Sequence, residues 1–420
     1  MPKGWSVCEL GDCLSKILDY RGKTPKKVGG NWGKSGFRAI SAKNIKNGRL
    51  VSLRSIRFVD EVIYKKWMKV EVEKEDILLT SEAPLGEVLL WNSAEKIVLS
   101  QRVFGIRADR KKVYPKYLNA YMHSFLFQHE LLSRATGSTV QGIRQSELIK
   151  TRVLLPSMRE QIAIGDFYTS IAEKIELNHK ISETLESMAN STFRSWFVGY
   201  NFPGHENANS SGGIPDGWGL KPIGEIADFV RGFSYKGSEK YDTPNDYAFI
   251  TLNNVKESGG FKSVYAWISS GRLKERHFLN EYDLIIANTE QTRDGTLLAF
   301  PAIVYFPRGY QKNNAVFSHH ITKIISKNPE LKFYLYFHLL YAQNESLGFH
   351  TGSVIWSLDV ENFAKNKEVY VPPIEILKSF NDLVEPIFVN LAENQKQTDC
   401  LSQIRDSLLP KLLSGEVRVG

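Results

Sequence analysis

The sequence predicts an α+β fold in which two similar globular domains are joined by two long helices, which form an antiparallel coiled coil with pseudo-two-fold symmetry. Two observations lead to this prediction. The chain of 420 residues repeats its own motifs at a distance of about 210 residues. A narrow apolar stripe with spacings of three and four residues follows each copy of the repeat. A repeat of this length is a pair of domains, because solenoid units recur every ~20–50 residues.

The repeat is carried by short motifs in the same order in both halves. Gly4-Trp5 returns as Gly217-Trp218, and Asp76-Ile77-Leu78-Leu79 returns as Asp283-Leu284-Ile285-Ile286. Short apolar runs of β type, separated by Gly, Asn and Pro, occupy the space between the motifs. This pattern predicts one domain over residues 1–155 and a second over residues 217–371.

The helical stretches are predicted over residues 156–200 and 372–420, with a polar linker at 201–216 between the first helix and the second domain. A stripe this narrow is typical of a coiled-coil seam rather than of a helix on a globular surface. We expect its apolar members to be buried. The predicted seam consists of Ile171, Ile175, Asn178, Leu185, Ile387, Leu391, Asn394 and Leu401.

Two asparagines, Asn178 and Asn394, interrupt the seam at equivalent places. A buried asparagine lowers stability but fixes the register, since a slipped partner leaves its amide unpaired. Alternatively, both side chains lie at the solvated edge of the seam. The sequence leaves both interpretations open.

Composition narrows the class of protein. A formal net charge of +8 and an isoelectric point near 9.1 suggest a polyanionic partner. Three cysteines, Cys8, Cys13 and Cys400, are too few for a disulfide framework and lack zinc-site spacing. Without an apolar signal segment or a run of about 18 apolar residues, we expect a soluble protein of the reducing cytoplasm.

Motifs of catalysis are missing from the sequence. Gly33-Lys34-Ser35 resembles the end of a P-loop, but the preceding glycine is misplaced and no apolar strand leads into it. No dinucleotide fingerprint or nucleophile elbow is present, and no metal site is predicted. His319 and His320 are adjacent, so in a strand their side chains would point to opposite faces. A structural or DNA-facing role is favoured for this pair.

Polar loops at matching places in the two halves are the remaining candidates for function. Arg, Asn, Gln and Lys read base edges in the major groove, and Ser and Thr hydroxyls bind phosphates. Two sets that differ in detail suggest two different short DNA sequences read by one chain. The predicted DNA-binding residues are Lys43, Asn44, Thr80, Ser81, Gln101, Arg102, Ser138, Thr139, Gln141, Arg144, Asn253, Asn254, Asn288, Thr292, Arg293, His319, His320 and Ser353.

Several stretches resemble a known family, the DNA specificity subunits of Type I restriction-modification enzymes, and the resemblance covers essentially the whole chain. The two helical stretches in tandem are its most specific part. The stretches are SEAPLGEV at Ser81–Val88, GSTVQGIRQSEL at Gly137–Leu148, LPSMREQIAI at Leu155–Ile164, SHHITKI at Ser318–Ile324 and LLPKLLSGEV at Leu408–Val417.

This resemblance implies two target recognition domains held apart by the coiled coil, reading a bipartite DNA site with a non-specific spacer. It implies a chain without catalysis that docks two modification subunits, which methylate adenine, and restriction subunits. S-adenosylmethionine, ATP and magnesium are then expected on the partner subunits and no cofactor on this chain. The alternatives are a two-domain DNA nuclease or modifying enzyme with an unrecognised active site, and a coiled-coil scaffold that binds no DNA.

Overall fold

A computed structural model describes residues 4–207, 210–211, 213–290 and 295–418. The chain divides into two compact units, and each unit contains a different part of both long helices. Unit 1 comprises Met1–Leu177 with Cys400–Gly420, and unit 2 comprises Asn178–Asp399. Among the described residues, no helix combines the length and the apolar character that crossing a membrane requires.

The strands of unit 1 are short and its helices, apart from the long ones, span at most nine residues. Its strands are β1 Ser6–Glu9, β2 Leu14–Asp19, β3 Phe37–Ile40, β4 Ile45–Lys46, β5 Arg49–Leu50, β6 Arg57–Val59, β7 Ile77–Ser81, β8 Leu85–Leu90, β9 Ile97–Leu99, β10 Val103–Ala108 and β11 Arg152–Leu155. Its helices are α1 Glu61–Trp67, α2 Pro115–Met122, α3 Phe125–Ser133, α4 Gln145–Leu148 and the first part of α5 Met158–Phe193.

An antiparallel sheet of order β2-β10-β7-β8 forms the centre of unit 1. Successive side chains of a strand point to opposite faces. Ile77 and Leu79 therefore enter the core that also holds α2, whereas Leu78 enters the core around α1. A sheet covered on both faces explains why β7 is buried along its whole length and begins with three consecutive apolar residues instead of an alternating pattern. A second sheet, β6-β3-β9, and the pairs β1-β11 and β4-β5 complete the unit.

Unit 2 has a corresponding set of elements. Its strands are β12 Ser210–Ser211, β13 Ile214–Pro215, β14 Gly219–Pro222, β15 Ala227–Arg231, β16 Lys240–Tyr241, β17 Tyr247–Ile250, β18 Ala266–Ile268, β19 Phe278–Leu279, β20 Leu284–Ala287, β21 Pro301–Ile303, β22 Ala315–Phe317, β23 Ile321–Ser326, β24 His350–Thr351, β25 Ser357–Leu358 and β26 Glu368–Val371. Its helices are α6 Ile223–Ile226, α7 Leu331–Tyr341, α8 Gln343–Ser346, α9 Val360–Asn366, the remainder of α5 and the part of α10 Ile374–Ser414 that precedes Cys400.

The sheet topology of unit 2 repeats that of unit 1. The order β15-β23-β20-β21 corresponds to β2-β10-β7-β8, and the parallel pair β17-β22 corresponds to β3-β9. One partly buried ion pair is also repeated. Asp76, just before β7, binds Arg107 at 2.7 Å, and Asp283, just before β20, binds Lys323 at 2.6 Å. The internal repeat read from the sequence is therefore a repeat of topology.

The first long helix begins at a reciprocal cap. The Ser157 hydroxyl accepts a hydrogen bond from the backbone N–H of Glu160 at 3.3 Å, and the Glu160 carboxylate accepts one from the Ser157 N–H at 3.1 Å. This capping box satisfies two N–H groups that have no partner inside the helix. The helix ends as a π-helical segment, Arg194–Val198. The predicted long helices are therefore confirmed, with observed ends that differ by a few residues from the predicted ones.

The two helices run antiparallel within unit 2. Asn178 hydrogen-bonds Gln397 and Thr398, whereas the ring of Phe193, further along α5, packs on Phe380, which comes earlier in α10. In unit 1, residues of the first part of α5 share a core with residues from the end of α10. Those residues are Ile164, Tyr168, Leu409, Leu412 and Leu413.

The predicted seam is correct in part. Ile171, Ile175 and Leu391 are buried. Leu185, Ile387 and Leu401 are only half-buried, so their predicted burial is wrong. The face of α5 and α10 that turns inward in unit 2 is displaced by about one residue from the predicted stripe. It carries aromatic side chains that pack against α7, namely Phe193, Phe380 and Phe388.

The two seam asparagines have different environments. Asn178 is 1% exposed, and its amide donates to Gln397 Oε1 at 2.8 Å and to Thr398 Oγ1 at 3.4 Å. Asn394 is half-buried. The inward interpretation therefore holds for Asn178, whose amide links α5 to α10 and fixes their register within unit 2.

Candidate nucleic-acid interface

A polar corner in unit 1 lies where β7 ends and β10 begins. The Ser81 N–H donates to the Arg102 carbonyl at 2.8 Å, and the Ser81 carbonyl accepts from the Ile143 N–H at 2.9 Å. These bonds attach the segment before α4 to the end of the sheet. A surface cavity of about 280 Å³ opens there, lined by Arg21, Ser81, Glu82, Gln101 and Arg102. We call Glu82, Gln101 and Arg102 corner 1.

The guanidinium groups of the two arginines in this cavity differ in how many contacts they make with the rest of the protein. Arg21 makes two bonds of 2.8 Å to the Asp19 carboxylate, donates to the Ile143 carbonyl at 3.2 Å and lies over the Phe104 ring. Arg102 is half exposed, at 49%, and its Nε binds Glu82 at 2.9 Å. Arg102 also has a φ of 66°, a left-handed conformation that is uncommon for a non-glycine residue and costs energy.

Unit 2 contains the same corner with different side chains. The Asn288 N–H donates to the His320 carbonyl at 3.0 Å and the Leu358 N–H donates to the Asn288 carbonyl at 2.9 Å. These bonds correspond to those of Ser81, so His320 takes the place of Arg102. His320 Nδ1 lies 3.1 Å from the hydroxyl of Thr289. We call Thr289, His319 and His320 corner 2.

The two histidines do not lie in a strand, which corrects the expectation that they point to opposite faces. They occupy a turn between β22 and β23, and their ring centroids are 3.9 Å apart. Burial, followed by the charges of His319 and Arg231, lowers the pKa of His320. A neutral imidazole offers one donor and one acceptor, so corner 2 presents a different hydrogen-bonding pattern from the guanidinium of corner 1.

A tight loop lies beside each corner. In unit 1, Thr136 and Gly142 exchange backbone hydrogen bonds of 2.8 and 2.9 Å. Gly137 has a φ of 107°, and a Cβ there would lie 2.2 Å from the Val140 carbonyl oxygen. In unit 2, a Cβ on Gly352 would meet the Ile355 carbonyl in the same way, at 2.3 Å. Only glycine fits these two positions. Both loops present exposed hydroxyl and aliphatic side chains, namely Ser138, Thr139, Val140, Ser353, Val354 and Ile355.

Two predicted DNA-binding asparagines face inward instead. Asn44 and Asn254 are 0% exposed. The Asn44 amide oxygen accepts from the Ser41 hydroxyl at 2.7 Å, and the Asn254 amide donates to the Val264 carbonyl at 2.9 Å. Both asparagines thus hold the loop that follows β3 or β17, and neither is available to a base. Sequence alone does not separate such an internal cap from a surface amide.

Three further candidates are buried. The Thr80 hydroxyl accepts from the Glu87 N–H at 2.9 Å. Ser81 is 2% exposed, and Asn288 is 3% exposed. The Asn288 amide donates to Thr322 Oγ1 at 2.9 Å and to the His319 carbonyl at 3.0 Å. These side chains support the corners from beneath, so direct base contact by them is contradicted.

The other candidates lie at or near the surface. His319 and His320 are half-buried, and two candidates, Thr292 and Arg293, lie outside the described residues. The exposed candidates are Lys43, Gln101, Arg102, Ser138, Thr139, Gln141, Arg144, Asn253 and Ser353. Glu82 and Thr289 lie in the polar loops that the sequence points to, but the predicted DNA-binding residues do not include them. The repeat itself could have identified both, because they follow equivalent strands. Within the described part of the chain, no group of three or more His, Cys, Asp or Glu side chains is arranged to hold a metal ion.

Comparison with known proteins gives a consistent result. The family described as "Type I restriction modification DNA specificity domain" matches the chain twice, over residues 2–187 and 215–406. The chain is 27% identical to the Type I restriction enzyme MjaIX specificity subunit of Methanocaldococcus jannaschii, covering 100% of this chain and 95% of that protein. It is 21% identical to the HindI specificity subunit of Haemophilus influenzae, covering 83% and 88%.

The chain also resembles a solved structure over nearly its whole length. The S subunit of the Type I restriction-modification system of M. genitalium aligns with a TM-score of 0.63 at 16% identity, over 97% of this chain and 96% of that one. This likeness confirms the predicted architecture of two similar α+β domains with two long helices.

Proposed function

Because the chain belongs to the Type I restriction modification DNA specificity family, we propose that its two units read the two halves of one bipartite DNA site, separated by a spacer whose sequence is not read. The chain is a specificity subunit and not itself an enzyme. Membership of this family leaves no support for the alternative of a nuclease or for a scaffold without DNA.

The observation that carries the proposal is the pair of matched corners. Both units hold the corner with the same backbone hydrogen bonds, yet one presents Gln101 and Arg102 and the other His319 and His320. Sequence is read by side chains that hydrogen-bond base edges. Two scaffolds of one topology with different side chains at the same place suit a site with two different halves. The net charge of +8 favours association with the phosphate backbone.

Partners supply the chemistry in this proposal. Two modification subunits bind S-adenosylmethionine and methylate adenine, and restriction subunits that use ATP and magnesium join them. This chain recognises the DNA site and binds no cofactor. Equilibrium dialysis with labelled S-adenosylmethionine tests whether this ligand binds the isolated chain or only the assembly with modification subunits. The isolated chain is expected to retain none, and the assembly with its modification subunits is expected to retain the ligand.

A domain exchange tests the reading of the site. Residues 1–155 are replaced by the corresponding segment of a relative with a different site, and methylated adenines are mapped across a genome that expresses the chimera with its modification subunit. The half-site read by unit 1 is expected to change, and the other half and the spacer length are expected to persist. The wild-type chain in the same cells is the control.

Two results would contradict the proposal. If the wild-type assembly methylates adenines without a bipartite consensus, the chain does not read two half-sites. If the exchange changes both halves together, the units do not read independently.

A further inference from the structure

We propose that the two corners determine the specificity of the two units, and that Arg102 reads a guanine in the half-site of unit 1. This inference rests on the proposed function, which supplies DNA as the ligand. It goes further by assigning the discrimination of one base pair to one side chain.

The two units offer an internal comparison. The Ser100 N–H donates to the Ile40 carbonyl at 2.8 Å, and at the equivalent place the Ser318 N–H donates to the Ile250 carbonyl at 2.9 Å. Both serines are buried. The serine that anchors this turn is thus the same in both units, while the next two positions change from Gln-Arg to His-His. When one backbone reads two half-sites, the difference must lie in side chains that project from equivalent places.

Two other pairs of exposed residues discriminate less well between half-sites. Ser138 and Ser353 are identical residues in equivalent loops, so they cannot distinguish one half-site from the other. Lys43 and Asn253 do differ, but a lysine is a flexible point charge that suits a phosphate better than a base edge. Arg102 and His320 differ between the units, and each is held in place by a neighbouring side chain, Glu82 or Thr289.

Arg102 has the geometry of a preorganised reader. Glu82 pairs with its Nε at 2.9 Å, so the guanidinium is held through that nitrogen rather than through its two terminal nitrogens. An arginine presented in this way matches the O6 and N7 acceptors of guanine in the major groove. Arg21, in the same cavity, is committed to Asp19 and serves the fold. A residue held by a second side chain is positioned more accurately than one on a free surface.

In corner 2 a neighbouring side chain also holds the reading residue, but that residue is an imidazole and not a guanidinium. Thr289 holds His320 at 3.1 Å through Nδ1, in the way that Glu82 holds Arg102. Only the other ring nitrogen of His320 is left for a base, so the contact is single rather than bidentate. The two corners therefore cannot prefer the same base by the same hydrogen bonds.

The experiment measures methylation of a library in which both half-sites are randomised. The chain, assembled with its modification subunit and given S-adenosylmethionine, is compared with Arg102→Ala and Arg102→Lys. Both variants are expected to lose discrimination for guanine at one position of one half-site by about 5- to 150-fold. Lysine keeps the charge but not the bidentate fork, so failure of Arg102→Lys to restore discrimination identifies base reading.

Arg110→Ala is the matched control. Arg110 is 66% exposed and binds Glu75 at 2.7 Å, so it resembles Arg102 in exposure and pairing. It lies beyond the opposite end of β10 and is expected to leave both half-sites unchanged. His320→Ala is expected to relax only the other half-site.

The failures are distinguishable. A wild-type assembly without any bipartite consensus overturns the proposed function. The inference alone is overturned if the wild-type assembly shows a normal bipartite consensus and Arg102→Ala shows the same consensus. The same holds if Arg102→Ala methylates that consensus more slowly but relaxes no position of it. If Arg102→Ala does not assemble, Arg102→Lys decides the question, because it retains the charge that pairs with Glu82.

Discussion

Truncating Phe193 to alanine is expected to destabilise unit 2 by about 3–5 kcal/mol, the usual cost of deleting a buried phenylalanine side chain. Phe193 is 1% exposed. Its ring contacts five aromatic rings, from both long helices and from α7, with centroid separations between 5.3 and 6.4 Å. The neighbours are Phe197, Tyr334, Phe337, Tyr341 and Phe380.

The expected loss lies in the upper part of the range for core substitutions. Each aromatic pair adds about 0.5–1.5 kcal/mol beyond the burial of area, although these contributions are not additive. The rings around the site belong to several elements and cannot close the cavity by moving one side chain. With a denaturant slope of about 2–3 kcal/mol/M, the urea midpoint of unit 2 is expected to fall by about 1–2.5 M.

The assay is urea unfolding followed by hydrogen-exchange mass spectrometry, which reports the two units through separate peptides. Met188→Ala is the matched control, because Met188 lies on the same helix and is 55% exposed. Its effect is expected to remain within about 0.5 kcal/mol. Equal midpoints for the two variants would refute the assignment of Phe193 to the core of unit 2.

Two other predictions concern buried polar groups. Asn178→Ala is expected to cost about 1–3 kcal/mol, measured as a lower urea midpoint, because Gln397 and Thr398 lose their donor; an unchanged midpoint would place Asn178 at a solvated edge. Burial lowers the pKa of His123 and of His338 from 6.5 to about 4. The unfolded chain therefore binds more protons between these values, and stability is expected to fall as the pH drops from 6.5 towards 4. Thermal unfolding across that range checks this, and a flat profile would contradict it.

The large features of the fold could be predicted because they are repeated or periodic. The duplication appears as motifs in the same order, and the long helices appear as stripes free of turn signals. The rotation of each long helix about its own axis was harder to predict from the sequence. Met188 and Phe193 are both apolar and both fit a helical spacing, and only packing against α7 decides that Phe193 turns inward.

The candidate interface could be predicted by region but not by residue. Asn44 and Lys43 are adjacent polar residues of one loop, yet one is fully buried and the other exposed. An internal capping amide and a surface amide have the same letter in a sequence, because the difference depends on which backbone groups the loop leaves unpaired. The corners depend on residues far apart in the chain, and their equivalence emerged from shared hydrogen bonds.

The composition of unit 1 has a consequence for how the protein folds. Leu409, Leu412 and Leu413, at the end of α10, belong to the same core as Ile164 and Tyr168 of α5. All of unit 2 lies between these segments in the sequence. During synthesis the ribosome must finish unit 2 before the last apolar side chains of unit 1 exist, so the first domain to emerge is the last whose core can close. A premature stop codon near residue 400 would therefore remove core residues of unit 1, the domain that was translated first.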